Sequence, residues 1–239
     1  MFNTYAVLPL HFGHGLIGVA LTCLFSGNNL YLSNKTSLEK ASNIINIIEN
    51  YDITFISTVP SFWQQVLKFS KDINHQNKEL RIHIGSAPLG KSLVNKIQKL
   101  LGTKEIYNLY GITEVCNYFS IQKANDDFKD GEIGVPLSGK FSVLRDGKLC
   151  FDGSGEIAII STSTMKGYFG RKDLNSKSFL SGWFLTGDYG EIKNKQVRLL
   201  GRLKNEINFG GFKVHPEDID LVLESNEEIS ESCSIGIEN

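Results

Sequence analysis

No stretch of this chain is apolar for long enough to span a bilayer: the run from Leu16 to Phe25 is broken by Gly18 and Thr22 and falls short of the roughly 20 residues that a membrane helix needs. The polar start Phe2-Asn3-Thr4 lacks the basic region of a signal peptide, so the expected compartment is the cytoplasm. Cysteine is sparse. Cys23, Cys116, Cys150 and Cys233 form neither a C-x-x-C pair nor a ligand-like cluster, which predicts reduced, mostly buried thiols and no structural disulfide. Charge of one sign is also missing: 25 Lys and Arg face 26 Asp and Glu, for a net charge of -1, and the basic residues are scattered. That leaves no electrostatic footprint for nucleic acid or an anionic membrane. Internal repeats and low-complexity tracts are absent.

With 239 residues and 41% apolar content, the chain has enough material for a sizeable core in one large domain or two small ones. From Tyr5 to about Tyr110, β-rich runs (Tyr5-Leu8, Leu30-Leu32, Ile53-Ser57, Arg81-Ile84, Ile106-Leu109) alternate with helical patterns, as in a parallel α/β layer. Leu38, Ala41, Ile44, Ile45 and Ile48 recur at helical spacing, as do Leu93, Ile97, Leu100 and Leu101, with Gly102 placed as a helix stop. After Asp130 the texture changes to short β segments, and Asp146-Gly147 between apolar runs signals a hairpin. The fold class expected is α/β: a partial large domain of parallel layers over residues 1-130, a small β subdomain over 131-200, and from 201 to 239 the start of a small α+β domain. Pro216 is placed to open a helix there, running through Leu223.

Three blocks carry the chemistry. Tyr110-Gly111-Ile112-Thr113-Glu114 follows a predicted strand, at the carboxyl end where open α/β sheets bind ligands. Thr186-Gly187-Asp188 closes Trp183-Phe184-Leu185, and Gly201-Arg202 leads through Gly210-Gly211 to Pro216-Glu217-Asp218-Ile219-Asp220. Taken singly, the first would pass for a strand end and turn, the second for a Gly-Asp turn with a solvated carboxylate, and the third for a surface arginine. In this order, together, they resemble the adenylate-forming enzymes, the superfamily of acyl-CoA synthetases, aryl-CoA ligases, luciferases and peptide-synthetase adenylation domains.

The resemblance implies ATP-dependent activation of a carboxylic acid as an acyl-adenylate, followed by transfer to a thiol, either CoA or a carrier-protein phosphopantetheine. Tyr110, with Gly111 beside it, would stack on adenine, Thr113 would bond a phosphate oxygen, and Glu114 would hold the Mg²⁺ that neutralises the triphosphate. Gly85-Ser86-Ala87-Pro88-Leu89 resembles the small-residue loop lying along the adenine, where small side chains permit close backbone approach; on its own it is a strand-to-helix connection with Pro88 near the helix start. Asp188 would accept hydrogen bonds from both ribose hydroxyls, a role suited to two acceptor oxygens with no donor. Arg202 would be a second ribose or phosphate contact. Lys204 falls at the hinge about which the family's small domain swings, although as a residue it is equally a solvated surface lysine. Gly210 and Gly211 would let the chain approach the pantetheine arm, while Asn208 stands where many relatives have lysine.

Leu8-Pro9-Leu10-His11-Phe12-Gly13-His14 resembles the acyl-pocket segment, placing His11, Phe12 and His14 beside the acid; a zinc reading of the two histidines lacks the three or four ligands required. The segment has no aspartate for an α-amino group, which favours a plain carboxylic acid as substrate. Gly155-Glu156-Ile157 and Gly167-Tyr168 match structural positions of the family. Ser161 to Gly167 lacks the internal glycines of a phosphate-cradling loop and reads as strand and turn. A chain without that loop and without the family's catalytic lysine is expected to be a poor or inactive ligase alone. Its partners would then be a small carboxylic acid, an acyl carrier protein and a complementary chain bearing the phosphate loop. The competing reading is a noncatalytic remnant or split-gene fragment that at most binds nucleotide.

Overall fold

The structure is a computed structural model that describes residues 1-70, 77, 79-209, 212-224, 226, 228-229 and 232-237. The chain divides into two compact units, Met1–Lys129 and Asp130–Asn239.

The first unit is built on a sheet whose strands come in the spatial order β2-β1-β3-β4-β5-β6. These are β1 (Asn3–Tyr5), β2 (Asn29–Tyr31), β3 (Phe55–Thr58), β4 (Arg81–Gly85), β5 (Ile106–Gly111) and β6 (Tyr118–Lys123). Pairing is parallel from β2 through β5, and β6 returns antiparallel on β5. Parallel neighbours require crossovers, supplied by α1 (Thr22–Phe25), α2 (Ser37–Asn50), α3 (Pro60–Phe69) and α4 (Lys91–Leu101). The α/β layer expected from the sequence is therefore present, with its first strand set earlier: Ala6 to Leu8 lie beyond β1.

Local chemistry explains the helix ends. At the start of α2, Thr36 and Glu39 form a reciprocal capping box, each side chain bonding the other's backbone N–H. In α3 the first helical position is Pro60, whose missing N–H costs nothing there. The stop of α4 is Gly102 in a left-handed conformation. Pro88 lies outside this helix, which begins only at Lys91, so the connection is longer than expected. The apolar stripes of α2, α3 and α4 close on the sheet around Ile44, Ile48, Trp63, Val66, Ile97 and Leu101, all under 2% exposed. Truncating one such isoleucine or leucine to alanine costs about 2 to 5 kcal/mol. The run after Leu10, by contrast, coils into a π-helical segment from His14 to Leu21 that leads directly into α1.

The second unit is antiparallel. Its strands β7 (Glu132–Pro136), β8 (Lys140–Arg145), β9 (Lys148–Cys150), β10 (Gly153–Ile160), β11 (Phe179–Leu180), β12 (Trp183–Lys193) and β13 (Gln196–Arg202) run in the order β7-β13-β12-β10-β8-β9, with β11 on β12. Asp146 and Gly147, both with positive φ, make the β8-β9 turn, as the dipeptide predicts. Residues 161-167 follow β10 as turns and bends with no strand, correcting the strand half of that expectation. A separate hairpin of β14 (Ile207–Phe209) and β15 (Phe212–Val214) precedes α6 (Pro216–Glu224), and α5 spans Lys172–Ser178. Of the four free thiols only Cys23 is buried; Cys150 is intermediate, and Cys116 and Cys233 are exposed, because the last three lie in short turns and edges rather than in the layered core. Among the described residues no helix is long and apolar enough to cross a membrane.

Candidate functional site

In the first unit, the parallel register of β4 and β5 sets Gly85 opposite Leu109. The segments Gly85 to Leu89 and Tyr110 to Glu114 therefore leave neighbouring strands at the same carboxyl edge. The strands come close here: a Cβ on Gly85 would fall 2.8 Å from the Leu109 carbonyl oxygen, so the position demands glycine. Tyr110 is buried, and Thr113 and Glu114 form a short 3-10 turn in which Thr113 is exposed and Glu114 half-buried. Ser86 and Ala87 are exposed, and Ser86 adopts φ +68. A left-handed conformation costs a non-glycine residue about 1 to 3 kcal/mol and persists only where neighbours over-determine it.

One such neighbour is His14. Its Nδ1 lies 3.0 Å from Ser86 Oγ and its Nε2 lies 2.8 Å from Ser57 Oγ, which is itself 3.1 Å from the Tyr118 hydroxyl. The Tyr118 ring meets the imidazole edge-on at 5.0 Å. Burial holds the His14 pKa down at about 4, so the ring is neutral at neutral pH, and burial also raises that of Tyr118. The three residues expected beside the acid are thus separated: His14 faces inward, whereas His11 and Phe12 are exposed and pack on each other at 4.3 Å. Ser57 and Tyr118 belong to no motif and were not anticipated. Ser57 is the third residue of a four-residue strand, and only the pairing of β3, β4 and β6 in one sheet reveals it as a partner of His14.

In the second unit, antiparallel pairing of β12 and β13 brings Asp188 directly opposite Arg202. Arg202 Nε donates to Asp188 Oδ1 at 2.7 Å; the carboxylate is nearly buried and the guanidinium about half exposed. Thr186 steadies the turn before it, since its hydroxyl donates to the Ile157 carbonyl and accepts from the Asp188 N–H. Gly187, at φ +73, has open space where a side chain would stand, and its N–H donates to Glu156 Oε1 at 2.9 Å. Glu156 is shifted up, first by burial and further by the charge of Asp188. The Gly-Glu-Ile strand that reads as purely structural therefore supports the Asp188 turn. Lys204 is exposed within a single 3-10 turn, Leu203–Asn205. Gly210 and Gly211 lie outside the described residues.

Among the described residues no group of three or more His, Cys, Asp or Glu side chains is placed to hold a metal ion. Magnesium commonly binds through one or two carboxylates together with substrate phosphates, and the half-buried Glu114 carboxylate fits that mode.

A family model described as AMP-binding enzyme matches residues 2–169. A probable CoA ligase of Humulus lupulus is 29% identical over 98% of this chain and 46% of its own length. The oxalate–CoA ligase of Arabidopsis thaliana is 28% identical over 98% of this chain and 47% of its own. Among solved structures, the O-succinylbenzoate coenzyme A synthetase of Bacillus subtilis in complex with ATP and magnesium superposes with a TM-score of 0.85 at 27% identity, over 100% of this chain and 49% of that one. The chain spans about half the length of the curated relatives it matches.

Proposed function

The chain belongs to the AMP-binding enzyme family, and from that premise we propose that it supplies the adenosine- and magnesium-contacting part of an enzyme that activates a carboxylic acid with ATP and passes the acyl group to a thiol, CoA or a carrier-protein pantetheine. The observation that carries this reading is the register of β4 and β5, which sends the small-residue loop and the Tyr110 to Glu114 segment off one carboxyl edge, the ligand edge of an open parallel sheet.

In this reading Tyr110 stacks on adenine along Gly85, Ser86 and Ala87. Thr113 bonds a phosphate, and Asp188 with Arg202 receives the ribose. Magnesium, held by Glu114, supplies charge neutralisation at the triphosphate. Residues 201-239 begin a domain that turns about Lys204 and brings Gly210 and Gly211 to the pantetheine, and His14 lies nearer the acid than the exposed His11 and Phe12. A complementary polypeptide segment carries the phosphate loop, and the enzyme works in the cytoplasm.

Equilibrium binding of ATP and of 2′,3′-dideoxy-ATP tests the nucleotide assignment. The diol should strengthen binding to the wild-type chain, and Asp188→Asn should remove the difference. Equal affinities for both nucleotides in the wild type would take Asp188 out of the ribose site.

A further inference from the structure

The polar chain Tyr118-Ser57-His14-Ser86 runs from the interior of the first unit to an exposed loop, and counting its protons fixes its direction. Four groups meet in three contacts: Tyr118 hydroxyl to Ser57 Oγ, Ser57 Oγ to His14 Nε2, and His14 Nδ1 to Ser86 Oγ. Tyr118, raised by burial, keeps its phenolic proton, and among the described residues its hydroxyl has Ser57 as hydrogen-bond partner. A buried phenol needs an acceptor for that proton. Ser57, fully buried, has a single proton of its own to place. If it accepts from Tyr118, it donates to Nε2, and a neutral imidazole that accepts at Nε2 carries its proton on Nδ1. Nδ1–H then donates to Ser86 Oγ. The opposite direction leaves the Tyr118 proton without an acceptor inside the chain.

We propose that Tyr118 and Ser57 are positioning residues that fix His14 as its Nδ1–H tautomer, so that Ser86 is held from behind as an acceptor and its own hydroxyl proton remains for an acceptor atom of the bound ligand. The same bond holds Ser86 in its left-handed conformation. The ligand part of this inference rests on the proposed function; the tautomer does not. Among the described residues the titratable neighbours of the ring are Tyr118 and His83, both neutral at pH 7: the pKa of His83 is held down at about 4 by burial, then by the charge of Arg81, then by repulsion from His14 when both rings are protonated.

The test is long-range proton–nitrogen correlation spectroscopy of the uniformly ¹⁵N-labelled 239-residue chain at pH 7, with His14→Gln identifying which of the five histidine patterns belongs to His14. The expected wild-type pattern is a neutral ring protonated on Nδ1. In Ser57→Ala the proton donated to Nε2 is lost and the constraint on the ring is released, so the Nε2–H population should grow, whereas Tyr118→Phe leaves Nε2 the one acceptor for the Ser57 proton among the described residues and should keep Nδ1–H. An Nε2–H or a cationic His14 in the wild type would overturn the proposal, as would a Ser57→Ala pattern indistinguishable from wild type. None of these readouts needs nucleotide. A correct tautomer in a chain that binds no ATP would therefore count against the proposed function and leave this inference standing.

Discussion

Lowering the pH from 7 to 5 should unload the first unit through two histidines, well before its carboxylates titrate. His14 and His83 are both held near pKa 4 by burial, against 6.5 for an unperturbed ring. The unfolded chain therefore binds more protons than the native one between these values, so stability falls as pH falls through that window. At pH 5 each histidine accounts for about 2 kcal/mol of lost stability, and the combined slope approaches ~2.7 kcal/mol per pH unit. Glu105, lowered chiefly by its bonds to Lys123 and Tyr107, adds a loss of the same sign at lower pH, as it protonates. Urea unfolding followed by the fluorescence of Trp63, fully buried in this unit, in a Trp183→Phe background reads the first unit alone. His14→Gln should halve the slope between pH 6.5 and 5. A flat profile over that interval, or a slope that His14→Gln leaves intact, would refute the burial argument for these rings.

Arg202→Met should destabilise the second unit by about 2 kcal/mol, less than a fully buried pair would cost because the guanidinium is half exposed and water can partly replace it. A double-mutant cycle with Asp188→Asn, read by urea midpoint, should return a coupling of that order; a coupling below about 0.5 kcal/mol would mean the contact is no stronger than a surface pair. In an enzyme completed by the remainder of the fold, Glu114→Gln should depress adenylate formation far more than it changes folding, and unaltered pyrophosphate exchange across a magnesium titration would count against the metal role. Lys204→Pro should spare adenylation and impair thioester formation, since proline fixes φ and restricts the residue before it. Equal loss of both half-reactions would remove Lys204 as the hinge.

The layered part of the fold was legible because periodicity and punctuation agreed with it. Ala41, Ile44, Ile45 and Ile48 became the buried face of α2 while Leu38, at its first turn, stayed exposed; Gly102 became the cap of α4, and Asp146-Gly147 the β8-β9 turn. Legibility failed where long-range contacts decide. Residues 16-25 show no clean helical stripe, and the π-helical segment ending at Leu21 places Gly18 against Asn117 and Tyr118, close contacts that local pattern does not encode. The thiols of Cys116 and Cys233 are exposed because burial of a small residue depends on which layer covers it, not on its type. In the site, motif spacing singled out Asp188 and Arg202 separately, but their ion pair follows from the β12-β13 register, which depends on the bulge between Tyr189 and Gly190. Ser57 and Tyr118 carried no signal because a serine in a strand and a tyrosine opening a strand are ordinary until His14 is found between them.

Carboxylate-dependent exchange of labelled pyrophosphate into ATP is the decisive test of the proposed function, measured on the chain joined to the remainder of the fold that its relatives carry and tried against a panel of carboxylic acids. The expected result is exchange that requires one class of acid and magnesium and that falls steeply in Tyr110→Ala and Asp188→Ala variants that remain folded. Exchange that persists in both variants, or none with any acid, would contradict it.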